Sequence, residues 1–247
     1  MKRYLKCIAL LLCVVMCFSY LATKPSSSGS SSSSNSTQTG RFSYLTMSCL
    51  GSSSTLPTKV QRAYATVVKD LLGLRAVNIY GHGWSTTSYV PDCPCHDYKY
   101  DHAPYVYRYN TMKVADIIAV QGAGANDYAQ SVPLGEIDST DVTTFYGALN
   151  VLMEGLKTTY PNSYIFFMTG FDIYSANAKN SAGIYWSEYN AAVINACKRH
   201  SIDCLDIYHD MPMDRDTDTV DGTHPTQKFI DKVWAPMIAD FIRKNYK

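Results

Sequence analysis

Three short blocks of this 247-residue chain carry side chains that could do chemistry together: Gly51-Ser52-Ser53, Gly124-Ala125-Asn126-Asp127 and Asp221-Gly222-Thr223-His224-Pro225. A serine hydroxyl is a weak nucleophile. It needs an imidazole to take its proton and a carboxylate to hold that imidazole in the right tautomer. Asp221 and His224 can supply both from one short loop, because three residues of turn let the carboxylate reach back to the ring. A developing oxyanion also needs donors already aimed at it. Asn126 offers a side-chain amide, and a glycine such as Gly83 offers an unobstructed backbone N–H. The chemistry these residue types point to is acyl transfer.

Taken in order, the blocks resemble the SGNH (GDSL-type) hydrolase family, whose conserved positions supply Ser, Gly, Asn and His. Gly51-Ser52-Ser53 follows the apolar run Tyr44 to Leu50, and Asn78-Ile79-Tyr80-Gly81-His82-Gly83 matches the second block. Gly124-Ala125-Asn126-Asp127 and Asp221-Gly222-Thr223-His224-Pro225 match the third and the last. The stretches Tyr107-Arg108-Tyr109, Asn126-Asp127-Tyr128 with Pro133-Leu134-Gly135, and Thr144 to Ala148 are similar to one bacterial branch of the family. Any single block is weak evidence, since Gly-Ser and Asn-Asp pairs are common in turns; four in order are specific. The resemblance implies a catalytic triad of Ser53, Asp221 and His224. It also implies an oxyanion hole from the N–H groups of Ser53 and Gly83 with the Asn126 amide, and no cofactor or metal. One position departs from the pattern: Ser52 stands where the family usually has Asp. Assignment of Ser53 among three consecutive serines therefore rests on register within the block, with Ser52 and Ser54 read as turn residues.

These residues must be positioned by a scaffold, and the hydrophobic pattern describes one. Short apolar runs alternate with helical periods, as in an α/β domain with a parallel sheet. The strand candidates are Tyr44 to Leu50, Ala76 to Tyr80, Ile117 to Gln121, Tyr164 to Thr169 and Cys204 to Ile207. Helical spacing runs from Val60 to Leu72, stopping at Gly73, and from Val142 to Leu156, from about Ile184 to Lys198, and from beyond Pro225 to Ile242. The expected fold is a three-layer α/β/α sandwich with a five-stranded parallel sheet, flavodoxin-like. Ser53, Gly83 and Asn126 each follow a strand and so fall on the carboxyl rim, where open α/β sheets bind ligands. From Trp84 to Asn110 the chain has no clear period. Tyrosine faces there, with Tyr105 and Tyr107 singled out, suit sugar rings, although tyrosines closing the domain edge would read the same way.

At this length and 46% hydrophobic content, one catalytic domain over residues 41–247 is the natural organisation. A net charge of +1 provides no field to recruit nucleic acid. Residues 1–22 read as a targeting segment, with Lys2, Arg3 and Lys6 ahead of an apolar stretch from Cys7 to Ala22 that is short of the roughly 20 residues needed to span a bilayer. A cleaved signal peptide is the favoured reading; lipidation at Cys17 or an uncleaved anchor are the alternatives. Residues 23–40, with the serine tract Ser26 to Ser36, read as a flexible tether to a membrane or wall, or simply a disordered start. Outside the targeting segment the cysteines are Cys49, Cys93, Cys95, Cys197 and Cys204, an odd number that argues against a complete disulfide framework. Cys49 and Cys204 are read as buried small hydrophobes. Cys93 and Cys95 with His96 and His102 lack the usual ligand spacing of structural zinc. Asp214, Asp216 and Asp218 read as a solvated acidic segment, His82 beside Gly83 reads as lining the cleft, and His96, His102, His200 and His209 carry no motif.

The expected activity is that of an extracytoplasmic serine esterase on short acyl groups, such as acetyl on a carbohydrate. A noncatalytic carbohydrate-binding module on the same scaffold, and a lipase or lysophospholipase type of esterase, are the alternatives.

Overall fold

The computed structural model describes residues 40–91, 93, 104–174 and 178–247. The targeting segment, the tether, and Cys95, His96 and His102 lie outside the described residues.

Five parallel strands form one sheet in the order β2-β1-β3-β4-β5. They are β1 (Thr46–Gly51), β2 (Ala76–Gly81), β3 (Ile117–Val120), β4 (Tyr164–Met168) and β5 (Asp203–Leu205). β1 starts two residues later than the apolar run suggests, because Asp116 pins it. One Asp116 carboxylate oxygen accepts from both the Thr46 backbone N–H at 2.7 Å and its hydroxyl at 2.8 Å. β1, β3 and β4 are covered on both faces, which is why they read as unbroken apolar runs instead of alternating ones.

The alternation of side chains sorts the core into two halves. Met47, Cys49, Ile117, Ala119, Phe166 and Met168 face α1 (Tyr64–Leu72) and the C-terminal helix. Leu50, Ile118, Val120, Ile165 and Phe167 face two 15-residue helices, Phe145–Thr159 and Trp186–His200. The result is the expected three-layer sandwich. Gly73 ends α1 in the left-handed conformation, its N–H bonding the Lys69 carbonyl.

Two features were not legible in the pattern. The stretch expected to be aperiodic contains a one-turn helix, Tyr105–Arg108, whose first N–H groups bond the Thr86 and Thr87 carbonyls. The C-terminal helix is also interrupted: a π-helical turn, Ile230–Trp234, precedes its last section Ala235–Asn245. Pro236 has no N–H to continue the ladder, and the widened turn accommodates the loss. Cys49 and Cys197 are buried free thiols and Cys204 is a half-buried one. Burial pushes Cys49 up to about 12, which leaves it inert. Cys93 is disulfide-bonded. Among the described residues no helix is long and apolar enough to cross a membrane.

Candidate active site

β1 ends at Gly51 and turns at once into a short 3-10 segment, Ser53–Thr55. The turn is tight enough to exclude a side chain at Gly51, where a Cβ would stand 1.8 Å from Thr55 Oγ1. That hydroxyl is itself held by Gln121 Oε1 at 2.9 Å, fastening the turn to the end of β3. Thr58 fixes it from the other side by donating to the Ser53 carbonyl at 2.9 Å. Ser52, in the position of the family's Asp, is buried and caps no N–H. It packs against Gly122 and Tyr105 instead.

The histidine arrives on a loop with its own constraints. Val220 N–H bonds the His224 carbonyl at 2.8 Å, and Thr219 and Pro225 form an antiparallel bridge. Gly222 takes φ +81°, a conformation that favours glycine. Asp221 Oδ1 accepts the backbone N–H groups of Thr223 at 3.1 Å and His224 at 2.8 Å, which turns the chain back on itself. Asp221 Oδ2 then meets His224 Nδ1 at 2.8 Å, and His224 Nε2 meets Ser53 Oγ at 2.9 Å. An ionised carboxylate only accepts, so Nδ1 carries the proton and the Nε2 lone pair is left for the serine O–H. Of the three consecutive serines, Ser53 is the one hydrogen-bonded to the histidine. The acidic run upstream is a self-capped turn: Asp214 accepts from Asp216 N–H and Asp218 from Asp214 N–H, each at 2.9 Å.

Asn126 sits near the start of the short helix Ala125–Ala129, which Gly124 enters at φ +94°. Its Nδ2 donates to the Ser85 carbonyl at 2.8 Å, committing one amide hydrogen and leaving the other. Gly83 lies in the turn after β2, with open space where a Cβ would be. The sheet order places β1 between β2 and β3, so Ser53 is flanked by the strand ends that carry Gly83 and Asn126.

Four residues near this site escaped sequence reasoning. Asp127 is fully buried and accepts from Thr87 and Ser88 N–H, each at 2.9 Å, so it anchors the segment that follows Gly83. Burial raises its pKa against those hydrogen bonds, which lower it. Arg108 is buried among backbone carbonyls. Trp84 is 65% exposed with φ +63°, a conformation rare for a bulky residue. Lys59 Nζ stands 2.7 Å from Asp221 Oδ2, the oxygen that also faces His224. Asp127 and Arg108 lie in stretches that resemble the family, although their roles could not be read there; Lys59 lies 162 residues from its partner.

One expected site residue needs correction. Tyr105 is fully buried, with its hydroxyl donating to the Gln121 carbonyl at 3.0 Å, and has no free face for a ligand. The helical turn that begins there points the ring inward. Tyr107 is 45% exposed and pairs with the Tyr89 ring at 5.6 Å.

Burial raises the Asp221 pKa, but the Lys59 ammonium, the His224 N–H and the His224 ring outweigh it and hold the carboxyl well below the usual range. A depressed carboxylate contributes stability above its ordinary value of 3.8, and that stability is lost as the pH falls below it. Lys59→Met should therefore lower the unfolding free energy measured by urea titration at neutral pH, by less than about 1 kcal/mol for so exposed a partner. The two proteins should converge as the pH is taken toward about 2; a constant difference down to that pH would assign the effect to something other than this pair.

Comparison with known proteins bears on the fold and the family. A protein from Lactobacillus plantarum is 26% identical, superposes with a TM-score of 0.70, and the match covers 83% of this chain and 99% of that one. A protein from Chitinophaga pinensis called a possible lipase is 20% identical, with a TM-score of 0.62 over 81% of this chain and 98% of that one. A family two carbohydrate esterase from Clostridium thermocellum, in complex with cellohexaose, is 16% identical, with a TM-score of 0.58 over 81% of this chain and 65% of that one. The last two establish likeness of fold. No curated protein matches the chain. Residues 76–232 match the GDSL-like lipase/acylhydrolase family model; that span starts at β2, so the serine turn stands on the geometry above. The chain belongs to the GDSL-like lipase/acylhydrolase family, whose members are in general ester hydrolases.

Proposed function

We propose that the protein is a serine esterase in which Ser53, His224 and Asp221 form the catalytic triad. The observation that carries the reading is the hydrogen-bond chain from Asp221 through His224 to Ser53, at 2.8 and 2.9 Å. Ser53 Oγ attacks the ester carbonyl while its proton passes to His224 Nε2. Asp221 keeps the proton on Nδ1 and stabilises the imidazolium without itself being protonated. The tetrahedral oxyanion is met by the N–H groups of Ser53 and Gly83 and by the free amide hydrogen of Asn126. As the intermediate collapses, the C–O bond to the alcohol breaks and His224 returns the proton to the leaving oxygen. Water, deprotonated by His224, then attacks the acyl-enzyme and releases the acid and Ser53. Ser53→Ala should abolish ester hydrolysis and fluorophosphonate labelling, while Ser52→Ala and Ser54→Ala retain turnover. Asn126→Ala should lower kcat by about 10² to 10³ with little change in KM. An active Ser53→Ala, or a normal kcat in Asn126→Ala, would defeat the corresponding assignment.

For the substrate we propose a short acyl group, such as acetyl, on a carbohydrate. With Tyr105 buried, the exposed aromatic side chains among the described residues of this stretch include Trp84, next to the Gly83 donor, and Tyr107. An exposed indole held in a strained conformation at such a position suits stacking on a sugar ring. The cellohexaose complex of the Clostridium esterase belongs to that protein and supports the reading only through the shared fold. The value of kcat/KM on p-nitrophenyl esters should fall steeply from acetate to octanoate. Trp84→Ala should raise KM for an acetylated glycan more than for p-nitrophenyl acetate. Preference for octanoate would point to a lipid substrate instead.

We also propose that the enzyme acts outside the cytoplasm, from the basic start and short apolar stretch of residues 1–22. Residues 1–40 fused to a reporter should export it; retention in the cytoplasm would contradict the proposal.

A further inference from the structure

Arg108 is 7% exposed, at the end of the helical turn Tyr105–Arg108. Its Nη1 donates to the Tyr80 carbonyl at 2.5 Å, and its Nη2 to the Gly51 carbonyl at 2.6 Å and to Ser85 Oγ at 3.2 Å. All three acceptors are neutral. Among the described residues its Nε is buried with no hydrogen-bond partner, and its Cζ lies 4.9 Å from the centre of the Tyr105 ring. Asp127, the buried carboxylate among the described residues, spends its two oxygens on Thr87 and Ser88 N–H. Burying a guanidinium without a carboxylate to pair it is costly, and three neutral acceptors could be satisfied by uncharged donors. The fold alone does not account for a cation here.

The identity of the acceptors does. Gly51 lies two residues before Ser53, and its carbonyl also takes the His82 N–H at 3.0 Å. Tyr80 lies three residues before Gly83 on β2. Ser85 is the residue whose carbonyl holds Asn126. One side chain thus ties together the two segments that carry the Ser53 and Gly83 donors, and reaches the third donor, Asn126, through Ser85. We propose that Arg108 is the positioning residue of the oxyanion hole, and that its charge, unpaired by a carboxylate among the described residues, acts on the negative charge that develops in the transition state. Such an interaction is stronger in the transition state than in the ground state, and so it appears in kcat. The inference rests on the triad reading above.

The test uses full-length Arg108→Met and Arg108→Lys, with rates on p-nitrophenyl acetate expressed per active site titrated by a fluorophosphonate. A trifluoromethyl ketone, whose adduct with the serine carries an oxyanion, serves as transition-state analogue. Arg108→Met should lose kcat by about 10²-fold, of the order seen for loss of one oxyanion donor, with KM within about threefold and the inhibition constant of the ketone raised in step with the loss of kcat. Arg108→Lys keeps the charge without the fork and should lose about tenfold. If the Met variant does not fold, the Lys variant decides by the same measurements. A kcat per site within about threefold of wild type, or a loss confined to KM with ketone affinity unchanged, overturns the inference. Ser53→Ala separates the two readings: inactive beside Arg108 variants of normal rate, it overturns the Arg108 role alone; active, it overturns the triad reading and this inference with it.

Discussion

Parallel pairing of β1 with both β2 and β3 is the constraint on which the rest of this structure depends. Parallel strands need crossover connections, and the helices that make them bury both faces of the sheet. Every strand then ends on the same rim, and whatever follows each strand is brought to a common edge. Because β1 has a partner on either side, the turn after it is flanked by the turns after β2 and β3. Ser53, Gly83 and Asn126 come together through this arrangement, although no two of them share an element.

Buried polar groups then convert proximity into fixed geometry. Asp127 and Arg108 hold the segment from Ser85 to Ser88 through backbone N–H groups and a hydroxyl, and all four of those residues are inaccessible to solvent. Thr55 and Gln121 fasten the serine turn to β3. An ungated loop would sample many conformations at the entropic cost of ordering it during each turnover; here the order is established on folding. Water-poor surroundings also make the hydrogen bonds and charges at such a site more effective than they would be in solvent.

The loop from Thr219 to Pro225 is built differently. It is more exposed, and its shape comes from local hydrogen bonds, with Asp221 gathering two backbone N–H groups, a histidine ring and the Lys59 ammonium. That carboxylate both folds its own loop and orients the ring. A family whose members hydrolyse different esters can keep such a loop while the surface around it varies, and Trp84 stands exposed next to Gly83.

Much of this was legible in the amino-acid sequence. Local periodicity and turn chemistry determined the element order and the parallel class, because a strand covered on both faces must be continuously apolar. Asp221 and His224 were readable as a pair because their contact is made within one turn. The spacing of the blocks placed Ser53, Gly83 and Asn126 after successive strands. What only the tertiary structure decided was lateral: that β1 lies between β2 and β3, that Tyr105 turns inward while Trp84 turns out, and that Lys59 and Arg108 reach Asp221 and Gly51. Helical and strand periods record which face of an element is buried, but not which element lies beside it. Contacts such as Lys59 with Asp221, 162 residues apart, leave no periodic trace because they are single polar encounters created by the packing of elements that each form for other reasons.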